Sequence, residues 1–147
     1  MGLVYGGAGI GVMGTLADAV LEAGGTAVGV VPVGLFSSEV PHRNLTELVE
    51  VPDMQARKRA MYERSDAFCA LPGGFEQFLE GSEAATWTQL GLHGSHKPVV
   101  LLDRNGFWSG LDEFLDRLMS DGFVRPENRG IVSRVTSVAE VLAVLDR

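Results

Sequence analysis

Cysteine is all but missing from this chain: Cys69 stands alone among 147 residues. One thiol makes no internal disulfide, so a disulfide framework is excluded, and a reducing compartment, the cytoplasm, is the expected setting. Cys69 sits inside an apolar run and is expected to be a small core residue rather than a nucleophile. Basic residues are also scarce, 12 against 19 acidic ones, for a net charge of −7. That argues against nucleic acid as a partner, because gripping a phosphate backbone takes a basic face. It leaves room for a small anion in a local pocket. No apolar stretch approaches the roughly 20 residues of a membrane span, and no signal peptide is visible. Internal repeats and linker-like segments are absent too, so a single domain over residues 1–147 is expected. With 46% hydrophobic and 21% charged residues, that domain has the composition of a globular protein with a real core.

Glycine, by contrast, is abundant, and it falls in two places that matter. Ala67 to Leu71 is an apolar run short enough to be a buried strand, and Pro72-Gly73-Gly74 stops it. A helical pattern carrying Phe78, Leu79, Ala84, Ala85 and Trp87 follows. A strand, a glycine turn and a helix N-terminus form either a plain tight turn or a seat for an anion. In the second case, outward-pointing N–H groups meet a closely approaching phosphate. The other stretch comes first. Gly2-Leu3-Val4-Tyr5 reads as a strand, then Gly9, Gly11 and Gly14 satisfy G-x-G-x-x-G. Leu16, Ala17, Val20 and Leu21 recur at helical spacing, Gly24-Gly25 end that helix, and Thr26 to Val31 is a β-branched strand. Strand, glycine loop, helix and strand predict a parallel sheet with a right-handed crossover. A dinucleotide site would place an acid at the end of the second strand, but Pro32-Val33-Gly34 stand there. NAD or FAD is therefore not expected, while a phosphate or nucleotide site stays open.

Leu35 to Asn44 reads as a surface loop in which Glu39 and His42 are solvated side chains. Leu45 to Val51 is a short strand or turn. Asp53 is placed to cap a helix from Met54 to about Glu63. Arg57, Lys58, Arg59 and Arg64 belong to this segment, and a basic cluster just before the glycine turn can complete an anion site. The helix after the turn should run to about Leu92, with Glu76, Glu80 and Glu83 stacked on one face. His93-Gly-Ser-His96 has the look of metal spacing, but its glycine and lack of a nearby third ligand favour a turn, so no metal is expected. Pro98 to Leu102 is a buried strand, and Leu111, Phe114, Leu115, Leu118 and Met119 mark an amphipathic helix. Gly122-Phe123-Val124 and Ile131-Val132-Ser133 read as short extended pieces, and Ser137 caps a final helix.

Three linked motifs in this order resemble the Lonely Guy (LOG) family, often labelled "possible lysine decarboxylase". The family has a V-Y-G-G-G…G-L-M-G loop, a Met-His-x-Arg-Lys segment and Pro-Gly-Gly-x-Gly-Thr-x-x-Glu. This chain has Val4-Tyr5-Gly6-Gly7 through Val12-Met13-Gly14, Met54-Gln55-Ala56-Arg57-Lys58, and Pro72-Gly73-Gly74 through Glu80, followed by Thr86-Trp87-Thr88-Gln89-Leu90-Gly91.

The resemblance implies a Rossmann-like α/β fold with helices on both faces of a parallel sheet. It implies a hydrolase that cleaves the N-glycosidic bond of cytokinin riboside 5′-monophosphates, or of AMP, to free base and ribose 5-phosphate. Arg57 and Glu80 match the catalytic pair. Glu39, Lys58, Gly73, Gly74, Phe75, Glu76, Gln77 and Thr86, with Gly7, Gly9 and Met13 of the first loop, match substrate-binding positions. No cofactor is implied, and family members are dimers or larger. Lysine decarboxylation would need pyridoxal phosphate on a Schiff-base lysine. Only Lys58 and Lys97 exist, and Lys58 is matched to substrate, so the decarboxylase label is rejected. Two departures bear on activity. Glu76-Gln77 replace the family's Gly-Thr, placing a carboxylate where a phosphate would be cradled. The usual first strand, glycine–serine loop and helix have no counterpart before Val4. Together they raise an alternative, a LOG-like nucleotide-binding module with impaired turnover.

Overall fold

A computed structural model describes residues 1–34, 40–92 and 96–145. The elements are β1 (Gly2–Tyr5), α1 (Gly11–Glu22), β2 (Thr26–Pro32), β3 (Glu47–Val51), α2 (Met54–Arg64), β4 (Phe68–Ala70), α3 (Phe75–Gln89), β5 (Val99–Leu102), α4 (Ser109–Ser120), α5 (Pro126–Arg129), β6 (Val132–Val135) and α6 (Val138–Leu145). Every strand pairing is parallel, as expected of an α/β Rossmann-like chain. The strands form two three-stranded sheets, β1-β2-β3 and β4-β5-β6, and the chain divides into compact units over 1–65 and 66–147.

In the first unit β2 is central. Ala27 and Val30 lie on opposite faces of this strand and are both wholly buried, so both faces are covered. Tyr5, Ala17 and Ala27 form a buried cluster, with Leu3, Met13, Leu21 and Leu45 against it. The small residues at 17 and 27 let α1 lie close on the sheet. The α1 helix ends where Gly24 takes φ +75°, a turn that glycine enters at low cost. Asp53 caps α2 as expected: its carboxylate accepts from the Ala56 N–H at 2.8 Å.

In the second unit β5 is central, and Val99, Val100 and Leu101 are all buried. β4 is an edge strand of its sheet, half-exposed along its length. This corrects the expectation for Cys69: it is exposed, on a strand at the edge of its sheet. The α3 helix stops at Gln89 rather than Leu92, because Gly91 takes φ +66°. Residues 122–124 are a turn after α4 rather than extended chain, and Pro126–Arg129 add a short helix that the sequence had not suggested. Ser137 does cap α6: its Oγ accepts from the Glu140 N–H while Glu140 Oε2 accepts from the Ser137 N–H at 2.9 Å.

Candidate functional site

In the first unit, β1 delivers the chain into Gly6-Gly7-Ala8-Gly9, and α1 begins at Gly11. The N-cap of α1 is Ile10, which offers no side-chain acceptor, so the first-turn N–H groups carry the helix's positive end without a cap. Gly7 has φ +83°, and a Cβ there would meet Val31 Cγ2 at 2.6 Å, so only glycine fits. The loop is braced from outside. Gly9 N–H donates to Val40 at 3.0 Å, His42 N–H donates to Gly7 at 3.0 Å, and Ala8 bridges Pro41 antiparallel. His42 is not the solvated loop residue expected. Its side chain is only 6% exposed; Nε2 bonds Asp18 Oδ1 at 2.9 Å, and Nδ1 accepts from the Asn44 N–H. The ring thus ties the 40–44 segment to α1. A lone histidine in a polar loop carried no signal of this, because Asp18 is 24 positions away.

Against this loop lies Arg57. It is 5% exposed, although it comes from a helix whose Arg59 and Arg64 face solvent. The basic cluster read from sequence is therefore split. Arg64 pairs with Glu47 at 3.2 Å, while Arg57 turns inward. Its Nη2 and Cζ occupy the space beside Gly6 that any side chain there would need, with Met13 Sδ alongside. Met13 and Arg57 are thus brought together, and Gly6, which sequence reasoning passed over, is the residue that admits the guanidinium. Arg57 Nη1 has the Met54 sulfur at 3.8 Å, a weak acceptor, and Nε is buried with no acceptor among the described residues. Among the described residues, no carboxylate pairs with Arg57. A buried, unpaired cation is costly unless an anion joins it. Lys58, next in sequence, is half-buried. Glu39 lies outside the described residues.

In the second unit, Gly73 and Gly74 connect β4 to α3, whose N-cap, Gly74, has no side chain. Gln77 fills the gap: its Oε1 accepts from the Gly74 N–H at 3.1 Å, and its side chain lies over Gly73. Phe75 and Glu76 are exposed at the helix start, where the Glu76 charge suits the dipole but faces any arriving anion. Glu80 is half-buried one turn further on, and Thr86 is exposed, its hydroxyl donating to the Ser82 carbonyl at 2.8 Å. His93 lies outside the described residues, and among those described no group of three His, Cys, Asp or Glu side chains is placed to hold a metal. No described helix is long and apolar enough to cross a membrane.

Comparison with known proteins follows the same motifs. The family model for "Possible lysine decarboxylase" matches residues 13–145. The chain is 44% identical over 144 residues to a cytokinin riboside 5′-monophosphate phosphoribohydrolase of Rhodococcoides fascians, covering 97% of this chain and 72% of that protein. It is 40% identical to LOG5 of Arabidopsis thaliana, which bears the same name, over 99% of this chain and 63% of the relative. To LOGL3 of Oryza sativa subsp. japonica, named as a probable enzyme of that kind, it is 40% identical over 98% of this chain and 67% of the relative. The chain thus spans about two thirds of the length of these curated relatives. Their names describe phosphoribohydrolases, not decarboxylases. On this identity, and on glycine loop, Arg57-Lys58 and Pro72-Gly73-Gly74 in their expected order, the chain belongs to the LOG family of enzymes.

Proposed function

We propose that the protein is a nucleoside 5′-monophosphate phosphoribohydrolase that hydrolyses the N-glycosidic bond of cytokinin riboside 5′-monophosphates, and of AMP, to free base and ribose 5-phosphate. The observation that carries this reading is Arg57: a cation 5% exposed, without a counter-charge among the described residues, set against a glycine loop and an uncapped helix N-terminus. Such an arrangement is made whole by an anionic ligand. Cleaving the C–N bond builds positive charge on the ribose, as in other glycoside cleavage. Glu80 is assigned to stabilise that charge or activate the attacking water, and Arg57 to hold the phosphate or the leaving base. Lys58, Gly73, Gly74, Phe75, Glu76, Gln77 and Thr86, with Gly7, Gly9, Met13 and Glu39, are assigned to substrate. Incubation with isopentenyladenosine monophosphate and with AMP, followed by chromatography, tests the reading. Free base from either is expected, and Arg57→Met and Glu80→Gln should abolish it. A folded sample that releases no base from either nucleotide overturns it.

One observation favours the second reading, a nucleotide-binding module with impaired turnover. Gln77 already occupies the Gly74 N–H, and the Glu76 carboxylate stands beside it. Calorimetry showing AMP binding without product would select this alternative.

The working assembly is proposed to be a homodimer in a reducing, cytoplasmic setting. Leu79 on α3 and Leu90, the residue that follows its last turn, are 58% and 63% exposed, and apolar side chains left in water along one segment suit a subunit contact. Trp87, on the same helix, is half-buried. Sedimentation at micromolar concentration should show the dimer, and a cooperatively unfolding monomer refutes it.

A further inference from the structure

The peptides of the first glycine loop are held from two sides. Within the unit, the buried Tyr5 hydroxyl donates to the Ala8 carbonyl at 3.3 Å. From outside, residues 40–42 run antiparallel to the loop. The Gly9 N–H donates to the Val40 carbonyl and the Gly7 carbonyl accepts from the His42 N–H, both at 3.0 Å. The approach is close, since a Cβ on Gly9 would come within 3.1 Å of His42 Cα. Peptides flanked by glycine reorient at little cost, and a trans peptide carries its carbonyl and N–H on opposite edges. A flip of the Gly7–Ala8 peptide would put a carbonyl where the Ala8 N–H now stands. A carbonyl repels an anion where an N–H attracts it.

What keeps the 40–44 segment against the loop is the His42 ring. Its Nδ1 accepts from the Asn44 N–H at 3.1 Å, which leaves the proton of the neutral imidazole on Nε2. Nε2–H therefore donates to Asp18 Oδ1 at 2.9 Å, and Asp18 belongs to α1, the helix that the loop leads into. The imidazole is 6% exposed and the Asp18 side chain 60%. A bond to so exposed a carboxylate adds little to global stability. Its effect is local: it fixes the segment to α1, with the glycine loop beside it and Arg57 against Gly6.

We propose that His42 and Asp18 are positioning residues for the anion site: their bond clamps the 40–44 segment to α1 and so keeps the glycine-loop peptides oriented for a nucleotide. The proposal rests on the phosphoribohydrolase reading. Without the clamp only a fraction of molecules holds the competent loop. Apparent affinity falls by that fraction, while saturating substrate restores the bound form. In His42→Ala and in Asp18→Ala, KM for AMP should therefore rise about five-fold or more with kcat within about two-fold of wild type. Amide exchange follows the loop itself. The Gly9 N–H should exchange about ten-fold faster in both variants, and that of Val30, wholly buried in β2, at the wild-type rate. Asp18→Ala, at an exposed carboxylate, serves alone if His42→Ala does not fold. His42→Gln places an amide N–H where Nε2–H stands and should restore both readouts. His42→Asn places an acceptor where Nδ1 stands, keeps the Asn44 N–H bonded, and should restore neither. Unchanged Gly9 exchange in a folded alanine variant, a lowered kcat at unchanged KM, no rescue by glutamine, or equal rescue by asparagine would overturn the proposal. A wild type that releases no base from AMP strikes the underlying reading instead. The calorimetric dissociation constant of AMP then replaces KM, and an absent or unchanged one overturns the clamp as well.

Discussion

Replacing Arg57 by methionine should make the protein more stable and catalytically inert. Arg57 is 5% exposed, its Nε has no acceptor among the described residues, and its Nη1 meets a thioether sulfur, that of Met54, at 3.8 Å. Methionine keeps most of the apolar stem against Met13 and Gly6 and removes the buried charge. Exchanging buried ionic groups for apolar ones of similar shape gains about 1–4 kcal/mol, and an orphaned donor alone costs about 1–3 kcal/mol. The lost sulfur contact and a small residual void work against this, so a net gain of about 1–3 kcal/mol is expected. For a chain of this size, that corresponds to roughly 3–9 °C in Tm. Urea unfolding should show a higher midpoint at unchanged slope. Phosphate or AMP, which should stabilise the wild type by mass action, should no longer do so in the variant. Base release should fall at least about 100-fold, as when a preorganised charge-stabilising group is removed. A variant less stable than wild type by more than about 1 kcal/mol would refute the reasoning. Arg57 would then be a satisfied packing residue, and the case for an anion beside Gly6 would fail.

Three further outcomes follow from the same structure. Gln77→Thr removes the side chain that holds the Gly74 N–H, and calorimetry should show AMP binding several-fold tighter, with a stability loss of about 0.5–1 kcal/mol from the lost cap; unchanged affinity would separate Gln77 from the substrate. Gly7→Ala combines φ +83° with a 2.6 Å approach to Val31, so thermal unfolding should show a loss of at least about 2 kcal/mol, and a neutral result would contradict the loop geometry. Stability should also fall in acid. Burial alone would raise the Asp103 carboxyl, but the Arg134 guanidinium and the Phe107 and Trp108 backbone N–H groups hold it below its usual value; Thr136 and Ser137 do the same for Glu140. Carboxylates lowered in the folded state stabilise it above their unfolded pKa of about 4 and lose that contribution as pH drops through the folded values. The urea midpoint should be flat from about pH 7 to 5 and fall below about pH 4, with a shallower fall in Glu140→Gln.

Much of the first unit was legible because its signals are local. Glycine spacing, the apolar period of α1 and the β-branched run of β2 each act within a few residues of themselves. Asp53 and Ser137 were legible for the same reason, since a cap is a bond between neighbours three apart. Gln77 was visible as a departure from a motif, but not as the acceptor for the Gly74 N–H, since its rotamer is set by the space over Gly73. Cys69 was misplaced because an apolar triplet reads alike in a central strand and an edge strand.

The chain's own order of residues determined the α/β alternation, the parallel sheets and the family, because periodicity and turn chemistry are written along the backbone. Only the tertiary structure decided which of four clustered cations is buried, that Gly6 makes room for it, and that His42 reaches Asp18 to brace the glycine loop. Each depends on side chains far apart in sequence competing for one volume, and that competition is settled by packing, which no local pattern records.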